Sequence, residues 1–535
     1  MKKSCLLVLV LFLFFSCKKE TTEEKYTDLT LENTTIEAFF KTNPESDKIK
    51  KEVNLFYKNR AFQYAWFTKK GMTQAVPNFQ NQLQNYTNAF NDKTFKNAQL
   101  DTLLTIIKMS NNESKIDEKQ RENLELLLTT TFFKYSDKAF SGINKTPRQL
   151  EWFIPRSKKN FQVMLESLIL KDENDTNYEP VNKYYSKLKE KLLLYRDIKK
   201  KGGFPIIKTN KKTISITESD SCLIEVKQRL FLSKDLKLND KTIVFTESLK
   251  IAISNFQQRL GLPETGILDT KTIVEMNKTV DFRIKQMLVN LERLRWVPIE
   301  VENDYILVNI PEYKLHVFKD KKVFWQTNVV VGKEAKQTTI FKGNISRIML
   351  NPYWNIPNSI INSEIIPGIK RDKNYLSKNN MEVVSFKGEA MKESNINWNK
   401  YTTNKVPFII RQKPGKSNAL GEMKFLFPNS YSIYLHDTPS KGLFDRNERD
   451  FSHGCIRVEN PKKLMMYLLK KNKTWTQKKV DAVLKTDTET GISIQPNMPV
   501  YIAYFTSWVD SNGNLNFRND VYNLDEELAK EIFTE

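Results

Sequence analysis

Cysteine and histidine are both scarce: 535 residues contain four cysteines and three histidines. Cys5 and Cys17 fall at the extreme N-terminus, so only Cys222 and Cys455 remain to form a bond. A chain of this length does not depend on one such bond, and a disulfide framework is excluded. Long apolar runs are missing as well. The run over residues 6–15 is ten residues long, which as a helix rises about 15 Å, roughly half a bilayer core. The net charge is +22, from 85 basic and 63 acidic residues. Yet no arginine-rich arm or nucleic-acid-binding motif accompanies it, and nucleic acid is set aside as a partner.

What is present begins with size. The length predicts two to four domains. A hydrophobic content of 40% with 28% charged residues is that of folded globular domains. The basic excess favours an anionic partner such as a membrane surface or an acidic polymer of the cell wall, although a lysine-rich proteome gives the same number. Lys2 and Lys3 precede the short apolar run, the pattern of a signal peptide over residues 1–16. The run ends Phe14-Phe15-Ser16-Cys17, which resembles the lipobox of bacterial lipoproteins with Phe14 in place of the usual leucine. That resemblance implies a lipid on Cys17, a polar tether over residues 17–34, and a periplasmic protein anchored to the outer membrane of a Gram-negative bacterium. The early acidic residues of the tether resemble the surface-export signals of some Bacteroidetes lipoproteins. Simple secretion is the alternative.

The expected architecture is multidomain α+β. Residues 35–205 carry helical periodicity, seen at Val53, Phe56 and Tyr57 and again from Leu124 to Phe133, and they predict a helical scaffold. Gly202, Gly203 and Pro205 break the pattern. A small helical unit is expected over 215–280, where Ile253, Phe256 and Leu260 share a face, Gly261 ends the helix, Gly266 permits a tight turn, and Asp269 or Thr270 caps the next helix. Residues 281–299 form an amphipathic connector helix. After Pro298 the period becomes that of strands, at 305–310, 314–318, 323–331, 345–350, 431–436, 455–458 and 500–505. The domain over 300–535 is therefore mostly β. Residues 355–419 interrupt it with weak regular signal, a length typical of lids and binding loops.

Two of the three histidines flank one cysteine. His436 ends a predicted strand, and 15 residues separate it from Ser452-His453-Gly454-Cys455-Ile456-Arg457. A thiol near its ordinary pKa is mostly protonated at neutral pH, and the thiolate is the attacking form. An imidazole in reach can take the proton of Cys455 and return it to a leaving amine. Asp437, through its side chain or its carbonyl, is the candidate for orienting His436. The N–H groups of His453, Gly454 and Cys455 are candidates for holding an oxyanion. Arg457 lies two residues beyond Cys455 and shares its strand face, where its charge favours thiolate and its fork can grip a carboxylate. Zinc on the two histidines and the cysteine is the rival reading. No second cysteine or local acidic cluster supports it, so no metal or cofactor is expected. His316 is a lone strand histidine and reads as structural.

His436 followed by Ser452-His453-Gly454-Cys455-Ile456-Arg457 resembles the active-site motif of the L,D-transpeptidases (YkuD-type catalytic domain). Val330-Val331-Gly332-Lys333, Asn351-Pro352-Tyr353-Trp354, Lys424-Phe425-Leu426-Phe427-Pro428-Asn429 and His436-Asp437-Thr438-Pro439 extend it. The segment 248–272 resembles a three-helix peptidoglycan-binding domain. The order of segments resembles the large multidomain branch, with a helical scaffold and a capping insertion. The resemblance implies Cys455 as nucleophile, His436 as general acid/base, and His453 and Gly454 at the oxyanion. It implies Arg457, Ser452, Tyr353 and Trp354 as substrate contacts. The implied partners are peptidoglycan tetrapeptide stems, as donor and acceptor, with carbapenem-type β-lactams as inhibitors. An L,D-carboxypeptidase, a transpeptidase attaching proteins to the wall, and a non-catalytic wall-binding lipoprotein are the alternatives. One departure is Thr339, where the family usually has proline; it alters a loop only.

Overall fold

A computed structural model describes residues 27–110, 117–170, 181–401 and 406–533. The expected signal peptide, Cys17 and the tether as far as residue 26 lie outside these residues. Among the described residues no helix is long and apolar enough to cross a membrane.

The chain forms two compact units, one of residues up to 139 with 160–178, the other of 140–159 with everything from 179 onward. The expected helical segment 35–205 is thus not one unit, because helix Lys183–Lys200 packs on helix Val280–Trp296 in the second. In the first unit, helices Asp47–Asn59, Ala75–Phe90 and Glu118–Ser136 enclose an aromatic core of Phe56, Trp66, Phe79 and Phe132. Glu118–Ser136 opens with a capping box, Asp117 and Gln120 each bonding the other's main chain. Its Glu125 is fully buried and accepts from the N–H groups of Ala65 and Trp66 and from the Tyr57 hydroxyl. Burial raises this carboxyl to about 7, against those donors and the Arg60 charge.

In the second unit, three helices, Leu223–Leu232, Glu247–Leu260 and Thr270–Met276, form the small domain expected near 215–280. Gly261 stops the second in the left-handed conformation at φ +70°, and the Asp269 side chain caps the third by accepting from Thr272 N–H at 2.7 Å. The following helix, Val280–Trp296, is more than a connector. Its Asn290 exchanges two hydrogen bonds with Thr506, and most of its side chains are buried.

The β region closes on itself. In chain order its strands are β1 Tyr305–Asn309, β2 Lys314–Lys319, β3 Lys322–Gly332, β4 Ile340–Leu350, β5 Met423–Leu426, β6 Leu435–His436, β7 Ile456–Val458 and β8 Thr490–Ala503. They run β5-β6-β7-β3-β2-β1-β8-β4, and β4 pairs back to β5. Closure leaves this circuit without a free edge. The expected strand over 431–436 is regular only at its last two residues. Asn429 explains why: its side chain bonds the main chain of Phe427, Tyr431 and Ile433, holding an irregular turn in which Ser432 has φ +58°.

The insertion over 355–419 has regular structure of its own. Trp354–Asn355, Ile409–Gln412, Met381–Val384 and Ala390–Met391 form a four-stranded sheet in that order. Beneath it Ile356, Ile360, Ile361, Ile365, Ile366 and Ile369 pack with Phe408 and Ile410. Buried Asn418 ties the base by donating to the carbonyls of Pro352 and Lys413, at 3.0 and 2.9 Å.

Candidate active site

Strand register assembles the site. β6 and β7 are parallel, with Leu435 opposite Ile456 and His436 opposite Arg457. β5 runs antiparallel on the other side, with Lys424 opposite His436. Partners across a sheet share a face, and so do residues two apart along a strand. Lys424, His436 and Arg457 therefore stand in one row, with Tyr434 and Cys455 beside them.

His436 is 5% exposed. Its Nδ1 is 2.5 Å from the Asp437 carbonyl, which only accepts, so Nδ1 carries the proton and Nε2 is left as the base. The Asp437 carboxylate points elsewhere: it accepts from Glu422 N–H and pairs with Lys441 at 2.6 Å. The orienting group is thus the carbonyl. Burial, then the Arg457 charge and, more weakly, Lys424, push the imidazole down to about 3, against the pull of the Asp437 carbonyl. His436 is held neutral.

Cys455 is a free thiol, half-buried, and Cys222 is also free and buried. Burial raises the Cys455 thiol, while hydrogen bonding from Tyr434 and the charges of Lys424 and Arg457 act to lower it. Its Sγ lies 3.6 Å from the Ser432 carbonyl, to which the thiol donates. Among the described residues its bonding partners are Ser432 and Tyr434, so a turn of the side chain toward His436 precedes proton transfer. Catalytic hydrogen bonds often form only once substrate is in place.

The loop before Cys455 is held from within. The Ser452 hydroxyl donates to the Cys455 carbonyl at 2.6 Å and accepts from Gly454 N–H at 3.1 Å. Ser452 is 2% exposed, so it shapes the loop instead of touching substrate. Gly454 N–H is thereby engaged, which leaves His453 and Cys455 as the N–H groups available to an oxyanion. Gly454 has φ +111°, a region side chains disfavour, and its carbonyl accepts from the Thr338 hydroxyl at 2.8 Å. Thr338 also receives Gly332 N–H, so the loop carrying the Thr338-Thr339 departure is locked beneath the catalytic loop. His453 faces the insertion, where its Nε2 lies 3.2 Å from Glu364.

Arg457 has no carboxylate partner among the described residues, and its Nε is buried without an acceptor. Burial lowers the guanidinium, opposed by the Cys455 sulfur. Trp354 packs against the insertion core. Tyr353 lies elsewhere, its ring 4.2 Å from the Arg411 guanidinium and its N–H on Glu489. His316 bonds Glu312 at 2.8 Å in the far part of the sheet, a structural pair. Sequence reasoning missed Lys424 and Tyr434 as site residues. Among the described residues no group of three His, Cys, Asp or Glu side chains could hold a metal.

Three family matches follow this order. Residues 51–192 match a scaffold domain, residues 228–276 a "Putative peptidoglycan binding domain", and residues 303–500 the YkuD family, an L,D-transpeptidase catalytic domain. A "Putative L,D-transpeptidase" of Haemophilus influenzae is 36% identical over 244 residues, which is 46% of this chain and 49% of the relative. The chain thus spans about half the length of the curated relative it matches. Among solved structures, an L,D-transpeptidase from Mycobacterium smegmatis is 10% identical, covering 38% of this chain and 58% of that one at a TM-score of 0.18. That of Stackebrandtia nassauensis is 12% identical, covering 54% and 97% at 0.22. At such scores the likeness carries no weight. Residues 303–500 thus match an L,D-transpeptidase catalytic domain of the YkuD type, and matches to a scaffold domain and a peptidoglycan-binding domain precede them in the same chain.

Proposed function

We propose that the protein is a peptidoglycan L,D-transpeptidase that works through a Cys455 acyl-enzyme. The observation that carries this reading is one sheet face on which a free thiol, a neutral imidazole whose Nδ1 is tied to the Asp437 carbonyl, and a guanidinium without a carboxylate partner among the described residues stand side by side. The donor is a tetrapeptide stem whose carboxylate pairs with Arg457. Cys455 Sγ gives its proton to His436 Nε2 and attacks the carbonyl carbon of the diamino residue, and the N–H groups of His453 and Cys455 hold the oxyanion. The C–N bond breaks, His436 protonates the departing amine, and D-alanine leaves a thioester behind. The side-chain amine of a second stem then attacks the thioester, passes a proton through His436 to sulfur, and forms a 3→3 cross-link.

Carbapenem-type β-lactams, which present an activated amide, acylate the same sulfur. The N-terminal motif adds the proposal of a lipid on Cys17 and a place at the outer membrane facing peptidoglycan. Palmitate labelling that persists in Cys17→Ala refutes the anchor.

Incubation with purified disaccharide-tetrapeptide followed by mass spectrometry tests the reaction. A cross-linked dimer with released D-alanine is expected, and tripeptide alone would make the enzyme an L,D-carboxypeptidase. Full activity in Cys455→Ala would overturn the mechanism.

A further inference from the structure

A cation drawn partly out of water is costly unless something negative faces it, and Lys424 and Arg457 are both half-buried. Lys424 and Arg457 stand on opposite sides of His436, one on β5 and one on β7, and neither forms an ion pair with a carboxylate among the described residues. The groups facing Cys455 can be named strand by strand. Lys424 comes from β5, Tyr434 and His436 from the approach to β6 and from β6 itself, and Arg457 from β7. His453 comes from the loop and is engaged by Glu364 of the insertion. Glu489 acts on Lys424 from β8's approach, while its carboxylate accepts Tyr353 N–H. Lys424 is fixed in place by Tyr434, whose ring lies 3.9 Å from the ammonium. Tyr434 in turn packs edge-on to His436 with ring centroids 5.7 Å apart.

Two cations on this face demand anions, and the reaction supplies two: the sulfur after proton transfer and the carboxylate of the donor. We propose that Lys424 is a second cation for Cys455, sharing with Arg457 the counter-charge of the sulfur when the thiol proton moves to His436. This rests on the reading of Cys455 as the nucleophile. The division of labour is then clear. Arg457, with its forked and unfilled donors, is free to turn to the substrate carboxylate, while Lys424, pinned over Tyr434, remains with the sulfur. Lys424 is a positioning residue in this scheme, acting through Cys455. It also disfavours a resting imidazolium beside it, so the proton that His436 accepts is passed on to the leaving amine.

The pH dependence of Cys455 alkylation by iodoacetamide tests the proposal on the full chain and needs no peptidoglycan substrate. It therefore stands or falls independently of the transpeptidase reading. Removing a positive charge that acts on a thiol raises its titration. Lys424→Met is expected to move the alkylation midpoint upward and to slow the reaction about tenfold at a fixed pH below it. Lys424→Arg restores the profile. If Lys424 only covers the Tyr434 ring, Met serves as well as Lys, and an unchanged midpoint in Lys424→Met overturns the proposal. Should that variant unfold, folded Lys424→Gln is read in the same way.

Discussion

Arg283 and Arg457 belong to the same compact unit, and they are treated oppositely. Arg283 is 1% exposed, and its guanidinium is met by Glu275 at 2.6 Å and Gln286 at 2.9 Å. Arg259 has Asp235, and Arg293 has Asp525. Arg457, held among Cys455, His436 and β7, has an orphaned Nε and no carboxylate among the described residues. Arg283, Arg259 and Arg293 are each answered by a carboxylate, whereas buried Arg229 rests on the Met276 carbonyl and the Phe204 ring. On the candidate catalytic face, the donor carboxylate of the proposed reaction would supply the answer to Arg457. Buried Glu125 in the helical unit is a further structural case, satisfied by three donors.

The comparison predicts a double dissociation. Arg283→Met leaves Glu275 with only Lys278 as a counter-charge and is expected to cost about 3 kcal/mol of stability. Arg457→Met removes an unanswered cation and should leave the unfolding midpoint unchanged or slightly raised, while lowering kcat/KM for D-alanine release about a hundredfold. Denaturant unfolding and steady-state kinetics on the two variants read this directly. Equal loss of stability in both would erase the distinction.

A smaller effect is expected at Gly454. Alanine there meets only ordinary contacts, the nearest the Gln337 carbonyl at 3.5 Å, so the cost is conformational, about 1–2 kcal/mol from φ +111°. The loop relaxes by shifting Cys455, and activity should fall more than tenfold with little change in the overall melting temperature.

The smallest effect belongs to Glu125. Its folded-state titration is raised to about 7, so the folded form binds more protons than the unfolded one above the ordinary carboxylate range. Stability of the helical unit should be fully present below that range and decline as pH rises toward and through 7. Glu125→Gln should flatten the dependence in calorimetric scans between pH 5 and 8.

Much of this site was legible because its chemistry is contiguous. Cys455, His453 and Arg457 sit within five residues, and histidine is rare enough that His436 stood out. Lys424 and Tyr434 were not legible as participants, since lysine is abundant and only the β5-β6-β7 register brings these side chains together. Asp437 was legible as a position, and its two groups act apart: its carbonyl holds His436 while its carboxylate secures Glu422 and Lys441. Ser452 carried the signature of a site residue because it builds the loop, which conveys the same pattern to the sequence as touching substrate. The insertion was legible over 355–419, but its regular structure was hidden by brevity. Its strands are two to four residues long, too short for a period to show, and its isoleucines pack along an irregular helical stretch that includes a wider turn at Ile361–Ile365.

The central claim is that Cys455 becomes acylated by a stem peptide. Intact-mass spectrometry of the protein quenched during turnover of disaccharide-tetrapeptide tests it most directly. The account predicts an adduct of the substrate less D-alanine, mapping to the peptide that contains Cys455 and absent from Cys455→Ala. Turnover with no adduct on that cysteine, or an adduct that survives in Cys455→Ala, would contradict it.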